Sequence, residues 1–193
     1  MRILGISGSL RRDSHNTRLL RGVRRLLPAG AQLEVFEELA AIPPYSEDDE
    51  HTWPPAVARL RGAIAGADAL LVVTPEYNGS IPGQLKNALD WVSRPAGASP
   101  LAGKPAAVLG ASTGVFGAVW AQAETRKVLE RIGAVVVQRE LPIAQADTAL
   151  GDDGLPLQAE TRAQVQEMLF ELLGLTAPQR LAASGPRLGG VAA

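Results

Sequence analysis

In the stretch GSLRRDSHNTRLL (residues 8–20), Ser9, Ser14, Asn16 and Thr17 gather hydroxyl and amide groups beside Arg11 and Arg12, where the apolar run RILGIS gives way to a helical pattern. A helix N-terminus presents unpaired N–H groups and the positive end of the macrodipole, so it favours an anion. Arg11 or Arg12 adds a planar fork of donors suited to phosphate. A phosphate monoester is the expected occupant. The same residues also admit a plainer role, in which Ser14 or Asn16 caps the helix and the arginines are solvated. Other phosphate and nucleophile motifs fail. Gly5, Ile6, Ser7 and Gly8 miss the G-x-G-x-x-G spacing, no G-K-S/T follows, and GISGS ends in Ser9 where a nucleophile elbow needs glycine.

Two further segments carry unusual chemistry. PEYNGSIP (75–82) offers backbone more than side chains: Gly79 permits positive φ, Asn78 tolerates it, and such a turn aims several N–H groups at one flat ligand, with Tyr77 available to lie along a ring. As a turn before a helix it would need no ligand at all. In ASTGVFG (111–117), Ser112, Thr113 and Gly114 form a small-residue loop at another helix start, where backbone can approach a ligand closely. Together with a phosphate cradle, two such loops suit an aromatic heterocycle carrying a phosphate tail.

The elements that must position these loops alternate along the chain. Apolar runs at 2–7, 32–36, 67–74, 105–111 and 134–138 read as buried strands, and the segments 16–27, 54–65, 81–92, 117–132 and 156–173 have helical spacing. Five strands, each followed by a helix, predict an α/β fold with a doubly wound parallel sheet of order 2-1-3-4-5 and helices on both faces. In that order the loops after strands 1, 3 and 4 are neighbours at the carboxyl edge, where ligands of such sheets bind. The length, 193 residues with 46% hydrophobic, fits one domain, expected over 1–175, with 176–193 as a flexible tail rich in Ala, Gly and Pro.

Composition removes other classes. Nineteen basic and twenty acidic side chains give a formal charge of −1, which supplies no field favouring nucleic acid or an anionic membrane. With no cysteine there is no disulfide, thiolate metal site or cysteine nucleophile. The only histidines, His15 and His51, lack a second ligand at metal spacing, and the acidic PPYSEDDE (43–50) reads as a solvated loop. No run approaches about 18 apolar residues and no signal peptide opens the chain, so a cytoplasmic protein is expected.

GSLRRDSHN, TPEYNGSIPGQLKNALDWVSRP (74–95) and LAGKPAAVLGASTGVFG (101–117), in that order, resemble the NADPH-dependent FMN reductases, which include quinone, chromate and azo-compound reductases. The resemblance implies a flavodoxin-like fold, non-covalent FMN, and an active site near a homodimer interface. It assigns the FMN phosphate to Ser9, Arg11, Ser14, Asn16 and Thr17, the isoalloxazine to Pro75, Glu76, Tyr77, Asn78, Gly79 and Ser80, and the closing loop to Ser112, Thr113 and Gly114. Arg12 and His15 fall at variable positions and receive no role. The chain departs from the family pattern at GAVWAQ, where Ala118 and Trp120 replace a glycine and an arginine; that arginine takes part in subunit contacts in some tetrameric relatives.

The activity so implied is hydride transfer from NADPH or NADH to flavin N5, then to an acceptor such as a quinone, free flavin, azo compound or metal oxyanion. No side chain need act as nucleophile or base. An FMN-binding electron carrier, or a non-catalytic flavoprotein in which Trp120 blocks the ring, stands as the alternative.

Overall fold

The computed structural model describes residues 1–176. Among the described residues there are six strands: β1 (Arg2–Ser7), β2 (Gln32–Val35), β3 (Ala69–Thr74), β4 (Pro105–Ala111), β5 (Val135–Val136) and β6 (Pro142–Ile143). All pair in parallel, in the order β2-β1-β3-β4-β5, with β6 also pairing to β4. The helices are α1 (His15–Gly22), α2 (Pro55–Gly66), α3 (Gly83–Val92), α4 (Val119–Ile132), α5 (Ala146–Ala149) and α6 (Ala159–Gly174).

The doubly wound order predicted from the apolar runs is the order found. β3 and β4 are buried at every residue, as central strands covered on both faces must be. Alternate strand side chains feed two cores. Leu71, Val73, Ala107 and Leu109 pack with Leu19 and Leu20 of α1 and Met168, Leu169 and Leu172 of α6. Leu70, Val72, Ala106 and Val108 pack on the opposite face with Leu60 and Ile64 of α2, Leu85 and Leu89 of α3, and Leu129 of α4.

Several boundaries differ from the periodicity. The helix expected over 16–27 is α-helical only to Gly22 and tightens into a 3₁₀ turn at Val23–Leu26. A Cβ on Gly22 would stand 2.7 Å from the Asp153 carbonyl oxygen, and Arg25 Nη1 donates to that oxygen at 2.9 Å, so this turn is shaped by a distant loop. The fifth strand, expected over 134–138, is only β5. The chain then leaves the sheet, with Arg139 paired to Glu167 and Glu171 of α6, and returns as β6 beside the carboxyl end of β4. α4 starts two residues later than expected because Gly117 and Ala118 both take left-handed backbone, with φ of 58° and 61°. At Gly117 a Cβ would meet the Ile143 nitrogen at 2.7 Å, which admits only glycine. α3, expected from residue 81, begins at Gly83, with Pro82 at the preceding N-cap position.

Of the expected tail, Thr176 is buried, its hydroxyl donating to the Leu173 carbonyl at 2.7 Å, and residues 177–193 lie outside the described residues.

Candidate active site

Adjacent strands bring the loops after β1, β3 and β4 to one edge. Between them lies a cleft of about 280 Å³ lined by Ser9, Arg11, Ser14, His15, Asn16, Pro75, Glu76, Tyr77, Ala111, Ser112 and Thr113. Nine of these eleven are residues assigned to the FMN site from the sequence; His15 and Ala111 are additions.

The β1–α1 loop is built from hydroxyls that bind backbone. Ser14 is the N-cap of α1, its Oγ accepting from the Thr17 N–H at 3.3 Å. Ser9 Oγ accepts from the Arg11 N–H at 3.3 Å, and the Ser7 and Thr17 hydroxyls pair at 2.7 Å. The first-turn N–H groups of His15 and Asn16 have no acceptor in a helix, and among the described residues they find none elsewhere. Arg11 is exposed and forms no ion pair among the described residues, so its guanidinium remains available at the cleft.

Two of the five expected phosphate residues turn out to be committed elsewhere. The Asn16 side chain is buried and spans from α1 to the end of β4, Nδ2 donating to the Ala111 carbonyl at 2.8 Å and Oδ1 accepting from the Ala111 N–H at 2.9 Å. What it offers the cleft is its backbone N–H. Thr17 lies outside the cleft lining, with its hydroxyl held by Ser7.

The β3–α3 loop closes on itself and on α4. Tyr77 and Ser80 exchange backbone hydrogen bonds of 3.2 and 3.1 Å around Asn78 and Gly79, whose φ values of 54° and 72° make the tight turn expected of Asn-Gly. Glu76 caps α4, one carboxylate oxygen accepting from the Trp120 and Ala121 N–H groups, each at 3.0 Å. Glu124 of α4 reciprocates by accepting from the Ser80 hydroxyl. Pro75, Glu76 and Tyr77 line the cleft, whereas Asn78, Gly79 and Ser80 form the turn that holds them. In the third loop Ser112 and Thr113 line it and Gly114 stands just beyond, its carbonyl accepting from the Gln145 N–H at 3.1 Å. Trp120 lies outside the lining, half exposed, its ring tilted by 58° against that of Phe116 with centroids 4.9 Å apart.

The donor set fits a phosphate monoester: two free helical N–H groups, hydroxyls of Ser9 and Ser14, and an unpaired guanidinium. A buried ring nitrogen of His15, Nδ1, also lacks a partner there. A larger cavity, about 550 Å³, lies away from this edge between α3 and α4, but Lys86 and Arg94 at its wall are already paired, with Asp90 and with Glu47 and Glu50. Tyr45 belongs to that second network, its hydroxyl accepting from Arg94 at 2.8 Å and donating to Glu50. Among the described residues no group of three metal-ligating side chains occurs, and no helix is long and apolar enough to cross a membrane.

The family described as NADPH-dependent FMN reductase matches residues 1–148. The chain belongs to that family. An NAD(P)H-dependent FMN reductase of Pseudomonas aeruginosa is 43% identical over 174 residues, covering 89% of this chain and 93% of that protein. A 2-hydroxy-1,4-benzoquinone reductase of a Burkholderia species is 38% identical over 170 residues, covering 88% and 92%. Among solved structures, the flavoenzyme NAD(P)H:(acceptor) oxidoreductase of Paracoccus denitrificans superposes with a TM-score of 0.80 at 35% identity, over 92% of this chain and 97% of that one. The protein is thus an FMN-dependent NAD(P)H oxidoreductase with a flavodoxin-like fold.

Proposed function

We propose that the cleft at the carboxyl edge is where this reductase holds FMN, and that its acceptor is a small flat conjugated molecule of the quinone type. The observation that carries the reading is the convergence of three loops on one cleft in which the α1 N–H groups and the Arg11 guanidinium remain unpaired. His15 and Asn16 offer their backbone N–H groups, Ser9 and Ser14 their hydroxyls, and Arg11 its guanidinium to the phosphate; Pro75, Glu76, Tyr77, Ser112 and Thr113 form the walls available to the ring system. When bound, FMN supplies the hydride acceptor and the electron store that none of the side chains provides. The chain's own work is positioning: Glu76 locks the β3–α3 loop onto α4, and Asn16 locks α1 onto β4, so the cleft walls are fixed before a ligand arrives.

Quinone-type acceptors are supported by the exposed Tyr77 at the cleft wall, an aromatic surface suited to flat rings, and by the quinone-reducing relative. A cytoplasmic homodimer is the proposed working form. Exposed Val115 and Phe116 of the third loop and Trp120 of α4 supply an apolar surface of the kind a subunit contact covers. The reading is tested by loading the protein with FMN or riboflavin and following NADPH oxidation with a benzoquinone. FMN-loaded protein should turn over, with riboflavin held much more weakly. Equal retention of the two flavins, or no quinone-dependent NADPH oxidation, would refute it.

A further inference from the structure

Glu76 is the one carboxylate among the residues that line the cleft, and it stands on the β3–α3 loop, in the wall available to the ring system, whereas Arg11 stands on the loop after β1. Its Oε2 accepts from the Trp120 and Ala121 N–H groups at the start of α4. The other oxygen, Oε1, has no hydrogen-bond partner among the described residues and is not shut away from solvent. The ion pairs among the described residues all lie elsewhere, so no cation neutralises Glu76. Capping α4 does not call for a full charge, since a hydroxyl or amide oxygen accepts helix N–H groups as well. The helix dipole offsets only about half of one negative charge. What remains is a net negative charge, fixed to backbone, at the ring end of a cleft that also takes a phosphate. We propose that Glu76 sets the redox potential of the bound flavin, its charge weakening the hold on the reduced form relative to the oxidised one.

The sign follows from the electron balance. NAD(P)H gives up a hydride, two electrons with one proton, and becomes NAD(P)⁺; the ring system that receives it carries one more negative charge until a second proton arrives from solvent. A carboxylate tied to the wall opposes that added charge, which lowers the midpoint potential and makes the electron pair easier to pass to an acceptor. Arg11, the guanidinium of the lining, does not cancel the effect, because in the FMN reading the phosphate engages it. A unit charge about 10 Å away, at an effective dielectric of about 20, shifts an equilibrium by a factor on the order of ten. The two hydrogen bonds to α4 keep the carboxylate from swinging away as the charge builds.

The inference rests on the FMN reading of the cleft and deepens it. Midpoint potentials of FMN bound to wild type, Glu76→Gln and Glu76→Asp would be measured by spectroscopic titration against redox dyes, with affinities for oxidised FMN and riboflavin taken alongside from flavin fluorescence. Glutamine keeps an acceptor for the Trp120 and Ala121 N–H groups and removes the charge; aspartate keeps the charge and is one methylene too short for the same cap. Glu76→Gln should raise the midpoint by about 30 mV, the two-electron equivalent of a tenfold change in the preference for oxidised over reduced flavin. Glu76→Asp should stay close to wild type. A midpoint unmoved in Glu76→Gln, or moved alike in both variants, would overturn the proposal while leaving the FMN site intact. Wild type that holds FMN no better than riboflavin would remove the underlying reading and the proposal with it.

Discussion

Arg11 and Arg12 are adjacent, equally charged and both exposed, yet only Arg11 reaches the cleft wall. A charge-assisted hydrogen bond to an ionised group is worth about 1.5–3 kcal/mol, so Arg11→Ala should weaken FMN binding roughly tenfold or more and Arg12→Ala should leave it nearly unchanged. Flavin fluorescence titration checks this, and equal losses in the two variants would contradict it. The sequence chemistry left the two open and the family resemblance preferred Arg11, the one that lies in the cleft lining. Neither foresaw the surroundings of Asn16 and His15. The partner of Asn16 is the backbone of Ala111, 95 residues away, and no local pattern announces that pairing. His15 was set aside for its variable position, although its place directly after an N-cap in an anion loop was the signal that could have marked it.

At the scale of elements, the cleft depends on ties between segments that the sequence shows as separate. Asn16 joins α1 to β4 with two buried hydrogen bonds, so Asn16→Ala leaves a buried N–H and a buried carbonyl of Ala111 unpaired. Each such group costs about 1–3 kcal/mol, and urea unfolding of the FMN-free protein should show a loss of roughly 2–4 kcal/mol; a loss below about 0.5 kcal/mol, the range of a neutral surface change, would mean the bridge is dispensable. Strands β1, β3 and β4 were legible because strands buried on both faces read as unbroken apolar runs. β6 was not, because two residues carry no periodicity and Pro142–Ile143 is placed by its neighbour β4 and by the Ser112 N–H bonded to Ile143. The ends of α1 and α4 were misplaced for a related reason: loops from elsewhere press on Gly22 and Gly117. Departures from helical geometry at those glycines are tertiary effects.

For the whole molecule, the alternation of strands and helices limited the topology to one whose switch point brings the chemically distinctive loops together, and the structure has that order. A chain without cysteine has no thiol to carry electrons, and the family it belongs to uses FMN for that chemistry. The alternative of a non-catalytic flavoprotein turned on Trp120, which stands outside the cleft lining with its ring tilted against Phe116. Assembly is where sequence reading had least to work with, since the contacts of a second copy depend on surface shape. The central claim is that FMN in this cleft is open to reduction by a nicotinamide cofactor. Anaerobic mixing of NADPH with the FMN-loaded protein tests it most directly: rapid loss of the oxidised flavin absorbance is the predicted result, and an oxidised spectrum that persists in excess NADPH would contradict it.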